Sequence, residues 1–97
     1  MEYQISLTES ANEDMTHFQV RDRRIIVEGI VIHLTADAEI ETRRKKTLRP
    51  NPIGPWELRI DRFRIFYTIE AGNVVKIVAV GSKEGNELFI RGKRVEL

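Results

Sequence analysis

Arg59 and Arg64 are the residues whose type and spacing point most directly to chemistry. They lie in the stretch WELRIDRFRIFY, residues 56–67, where Trp56, Leu58 and Ile60 alternate with Glu57, Arg59 and Asp61. Phe63, Ile65 and Tyr67 then alternate with Arg62, Arg64 and Phe66. Such alternation predicts a hairpin with one apolar face. A turn centred on Asp61 and Arg62 sets Ile60 across from Phe63, Leu58 from Ile65, Trp56 from Tyr67 and Arg59 from Arg64. Two guanidiniums in one spot repel, so the pairing calls for a carboxylate or a bound anion between them. Glu57 is the nearest candidate carboxylate, which leaves two readings: a surface salt-bridge cluster of Glu57 with Arg59 and Arg64, or a phosphate-binding face. The turn lacks the glycine or asparagine that two-residue hairpins favour, so a longer loop or a bulge that shifts the register stays open.

The surrounding charge raises the second reading. The total is +1, but residues 1–42 hold three basic and nine acidic side chains, residues 43–64 eight and two, and residues 65–97 five and four. The balance runs −6, +6, +1, and the central basic segment is where a polyanion should bind. Arg44, Lys45 and Lys46 precede the hairpin, Arg62 sits in its turn, and Lys83 follows it. A run of basic residues is as often a solvated face, and only its nearness to the arginine hairpin argues otherwise. Other chemistry is thinly supplied. There is no cysteine, and two isolated histidines make no usual zinc site, so neither a metal nor a cofactor is expected. His17 and His33 fall in helical stretches remote from the basic segment, and Trp56 and Phe63 face the expected core rather than a stacked base.

The elements that must position these residues fit one domain, residues 1–97. Tyr3, Ile5 and Leu7 alternate as a short strand at a sheet edge. Ser10 and Glu13 have capping-box spacing, with Ala11, Met15 and Phe18 as the stripe of a short helix. Residues 20–34 are rich in β-branched residues and contain Gly29, yet Val20, Val27, Ile30, Val31 and Leu34 fit a helical stripe, and the length exceeds an ordinary strand. We expect a helix, paired with the first as an αα hairpin. Prolines at 50, 52 and 55 hold the following connector extended, with a short strand within residues 41–48. After Tyr67 the strand runs to Glu70, turns at Ala71, Gly72 and Asn73, and returns as Val74 to Val80, completing a meander. Gly81 suggests a bulge or a close backbone approach, and Glu87 to Ile90 one more extended piece. No basic and apolar leader or run of ~20 apolar residues is present, so a cytoplasmic protein without membrane contact is expected.

The order strand, two helices, basic connector, meander, with WELRIDRFRIFY and VVKIVAVGSK as signatures, resembles the RelE/ParE superfamily of toxins from type II toxin-antitoxin modules. The likeness implies an α+β fold on a mostly antiparallel sheet and a cognate antitoxin as partner; oligomeric state is left open. It implies one of two activities: RelE-like members enter the ribosomal A site and cut mRNA, whereas ParE-like members poison DNA gyrase. Carried onto this chain, the RelE-like functional positions fall on Arg59, Arg64 and Lys83. A second basic position is Glu57 here, the C-terminal tyrosine or histidine falls near the proton-less Phe89, and the usual C-terminal helix is replaced by LFIRGKRVEL.

RNA cleavage by its own 2′-hydroxyl needs a base, positive charge for the phosphorane and preferably an acid, but no metal. On this expectation, a metal-independent endoribonuclease acting on the ribosome, Arg59 and Arg64 stabilise charge. Lys83, Arg44, Lys45, Lys46 and Arg62 hold flanking phosphates, and Glu57 is base or, more simply, charge balance. The alternative is a non-enzymatic binder: a gyrase inhibitor, or a degenerate toxin that only binds its antitoxin.

Overall fold

The computed structural model describes residues 1–97. The elements run β1 (Gln4–Leu7), α1 (Glu9–Met15), α2 (Val20–Leu34), β2 (Lys45–Thr47), β3 (Trp56–Ile60), β4 (Phe63–Glu70), β5 (Val74–Glu84), β6 (Glu87–Ile90) and β7 (Lys93–Val95). The strands form one sheet in the order β2-β3-β4-β5-β6-β7, all antiparallel, with β1 added in parallel to β5. This is the expected α+β architecture, two helices on a mostly antiparallel sheet.

Alternation decides which face each strand residue takes. Leu58, Ile60, Phe63, Ile65, Tyr67, Val75, Ile77 and Val80 face the helices and pack with Ile26, Ile30 and Leu34 of α2 in the main core. The opposite face has only a small cluster, Phe66, Ala79 and Leu88, edged by Leu48, Ile53, Val78, Ile90 and Val95. Trp56 stacks on Tyr67 at 5.6 Å across the hairpin, and Phe18 meets Phe63 edge-on, so the aromatics serve the core as expected.

Several local expectations change. Helix α1 is capped by Thr8, whose hydroxyl accepts from Ala11 N at 3.0 Å, and not by Ser10. Helix α2 has the expected bounds but a different inward face: Ile26, Gly29, Ile30 and Leu34 are buried, while Val20, Val27 and Val31 are half exposed. Gly29 accounts for the rotation, because a Cβ there would lie 2.7 Å from Ile60 Cγ1; glycine lets the helix axis approach β3. The bulge is not at Gly81 but where the register slips between Phe66 and Tyr67. Gly81 instead marks close approach, since a Cβ would strike the Phe89 carbonyl oxygen and Ile90 Cγ1. Strand β5 therefore runs unbroken through it, and the C-terminal segment folds as the hairpin β6–β7, whose second strand was not foreseen.

The outer edge of β5 is shared. β1 covers Val74 to Ile77 and β6 covers Ser82 to Glu84, leaving a gap between them. Asp14 of α1, 2% exposed, fills it: Oδ2 accepts from Val80 N at 2.9 Å and Oδ1 from Arg91 Nε at 2.6 Å. Arg91 occupies the β6–β7 turn at φ 52° beside Gly92 at φ 76°, and also donates to the Ser10 carbonyl and hydroxyl. One buried carboxylate thus ties the first helix, the central strand and the last hairpin together.

Candidate functional site

The hairpin register is the one its alternation predicts: Ile60 pairs with Phe63, Leu58 with Ile65, Trp56 with Tyr67 and Arg59 with Arg64. Asp61 supplies the positive φ, 51°, that the tight turn needs, a conformation aspartate tolerates better than most residues. Glu57, Arg59, Arg64 and Phe66 lie on the face away from the helices. Glu57 is 2% exposed, and its Oε1 accepts from Arg59 Nε at 2.8 Å. Its buried charge is thereby paired, while Arg59 keeps nearly half its side chain in solvent.

Arg64 is placed differently. Its Nη1 donates to the carbonyls of Asp61 at 2.8 Å and Phe63 at 2.9 Å, which fixes the guanidinium over the turn. Its Nε is buried with no partner. Burial pushes its pKa down, Glu57 opposes that and Arg59 adds to it; an arginine stays charged regardless, so the burden falls on the fold. One carboxylate therefore serves two guanidiniums.

The remaining basic candidates divide. Lys46 sits opposite Glu57 in the β2–β3 register, and Lys83 follows Gly81, which pairs with Arg64, on the same face. Neither forms an ion pair. These two extend the positive face. Lys45 does not: 5% exposed, it points to the helix side, where Nζ donates to the carbonyls of His33 at 3.2 Å and Asp37 at 2.8 Å. It caps the C-terminal end of α2, where a cation opposes the helix dipole. Arg62 also turns to the helix side, stacked over Phe63 at 4.5 Å and paired with Asp22 at 3.2 Å. Arg44 lends its carbonyl to Arg59 N and lines a cleft at the end of α2 beside His33.

Beside Glu57, the ionisable groups added to the arginine face are the ammonium groups of Lys46 and Lys83, and neither tyrosine reaches it. Tyr3 donates to Glu39 at 2.7 Å, a bond that with burial pushes its pKa up to about 12. Tyr67, fully buried, donates to the Ala38 carbonyl, and burial raises its pKa further still. Phe89 lies on the helix side, in a cleft with His17 and Phe18. No three His, Asp or Glu side chains gather closely enough to ligate a metal ion. No helix is long and apolar enough to cross a membrane.

Compared with known proteins, residues 5–87 match the model of the ParE toxin of the type II toxin-antitoxin system parDE. The chain belongs to the ParE toxin family. It is a toxin of a type II toxin-antitoxin module, and an antitoxin is its partner. No curated protein is similar to the toxin in sequence. Among solved structures it is similar to a chain of the toxin-antitoxin complex RelBE2 from Mycobacterium tuberculosis, at 24% identity and a TM-score of 0.70, over 86% of this chain and all of that one. That likeness is one of fold.

Proposed function

We propose that the toxin acts by binding its target rather than by cutting mRNA, in the manner of a gyrase inhibitor. The observation that carries this reading is the arginine face itself: it presents no imidazole or phenol, and besides its one carboxylate only the ammonium groups of Lys46 and Lys83. Glu57, the one carboxylate there, is buried and taken up by Arg59. A general base and a general acid each contribute about 10²–10⁴-fold to such a cleavage. Without them, charge stabilisation by Arg59 and Arg64 alone would leave RNA cleavage slow. The ParE family match agrees with a binder.

A second reading, the ribosome-dependent mRNA endoribonuclease, draws on one specific feature. Arg59 and Arg64 lie directly opposite each other, and a phosphodiester between them would relieve their repulsion. In that role Lys46 and Lys83 would hold neighbouring phosphates. Induction in a cell separates the two. The binding reading expects DNA double-strand breaks and filamentation with intact transcripts, and new mRNA 5′ ends without DNA damage would overturn it in favour of the nuclease.

A further inference from the structure

The cleft at the C-terminal end of α2 lies apart from the arginine face and carries an imbalance of its own. It measures about 610 Å³ and is lined by Ile32, His33, Ala36, Ile40, Thr42, Arg43 and Arg44, among others. Ile32 is 67% exposed and Ile40 50%, two large aliphatic side chains open to water on the walls of one concavity. Arg43 and Arg44 beside them form no ion pair.

Carboxylates are close in sequence, Asp37 on the cleft wall itself, and each already has a partner. Asp37 takes the N-terminal amine at 3.2 Å, Glu39 takes the Tyr3 hydroxyl, and Glu41 takes the Thr47 N–H at 2.9 Å and its hydroxyl at 2.8 Å. Lys45, the third basic residue of the run, is spent inside on α2. The connector's acids stay at the surface, each with a partner of its own, and two guanidiniums and two isoleucines beside them are left without one. From this juxtaposition we propose that the cleft is a docking site for the antitoxin, occupied by an acidic segment that seats an aliphatic or aromatic anchor between Ile32 and Ile40 and carboxylates against Arg43 and Arg44.

Apolar anchoring supplies affinity and the charges supply orientation and rate. The proposal rests on the chain being a toxin, not on its mode of action. The surface that poisons the target and the surface that receives the antitoxin are then distinct.

The test uses the full-length toxin and the antitoxin encoded beside it. By calorimetry, Ile40→Asp should weaken the complex about thirtyfold. Arg43→Glu should weaken it roughly tenfold and flatten its salt dependence. Ile40→Ser, smaller and uncharged, guards against a folding defect: with unchanged melting it should still cost about fivefold. In cells, each variant should arrest growth as the wild type does and lose its rescue by the antitoxin. Affinities within about twofold of wild type for Ile40→Asp and Arg43→Glu would overturn the proposal. So would variants that abolish self-association of the free toxin while antitoxin affinity holds, which would give the cleft to a second copy of the chain. An induced toxin that neither breaks DNA nor cuts mRNA would defeat the proposed mode of action and leave the calorimetric result standing.

Discussion

Arg64 both holds the hairpin turn, through the Asp61 and Phe63 carbonyls, and burdens the fold. It faces Arg59 across the hairpin, its Nε is buried without an acceptor, and the carboxylate within reach is shared. Arg64→Gln removes the like-charge pairing and with it the two bonds from Nη1 to the Asp61 and Phe63 carbonyls, so the two effects should largely offset and leave stability within about 1 kcal/mol in urea denaturation. The same substitution should reduce growth arrest at equal protein level; loss of stability together with full toxicity would show that the residue serves the turn alone. His33 offers a second residue-scale measurement. Burial first, then Arg44 and Lys45, lowers its pKa from 6.5, so the fold favours the neutral ring. Stability from this source is complete above pH 6.5 and is lost as the pH falls from there towards the depressed value, because the unfolded chain takes up the proton first. His33→Gln should flatten that part of a melting-temperature profile while leaving the acid limb set by Glu39 and Glu41, whose pKa values are lowered from 4.5 by hydrogen bonds from Tyr3 and Thr47. At this scale the arginine pair was legible because strand alternation fixes a register. The roles of Lys45 and Arg62 were not, because a sequence does not say which face a connector or a turn residue will turn to.

Among the elements, β5 depends most on others. Its exposed edge is completed by β1, β6 and, between them, the carboxylate of Asp14. Asp14→Ala would leave the Val80 N–H unpaired and Arg91 without its main partner, at a cost of about 3 kcal/mol. Urea denaturation checks this, and hydrogen exchange should show the loss of protection concentrated in β6 and β7. Nothing in the sequence joins Asp14 to Arg91, because the contact spans 77 positions and neither residue lies in a periodic pattern. The long helix shows a subtler limit. Its bounds were readable, yet both sides of α2 are rich in β-branched aliphatics, and the choice between them fell to Gly29, whose missing side chain admits Ile60. β7 escaped because three residues, two of them basic, carry no alternation to detect.

Across the whole molecule, the near-neutral total conceals a division of charge that the fold keeps and sharpens. The basic central segment becomes β2, β3, their connector and the start of β4, one side of the sheet, while the acidic first 42 residues supply both helices. The toxin should bind heparin more tightly than a net charge of +1 suggests, and Lys46→Glu with Lys83→Glu should lower the eluting salt concentration; unchanged elution would mean the face is not a continuous polyanion surface. The placement of β1 has a further consequence, in time rather than space. The first strand to leave the ribosome has its only partner in Val74 to Ile77, and Arg64 has its far neighbour in Gly81. A chain under synthesis therefore holds β1 unpaired until β5 has been made, and the arginine hairpin gains its Gly81 neighbour at the same late stage.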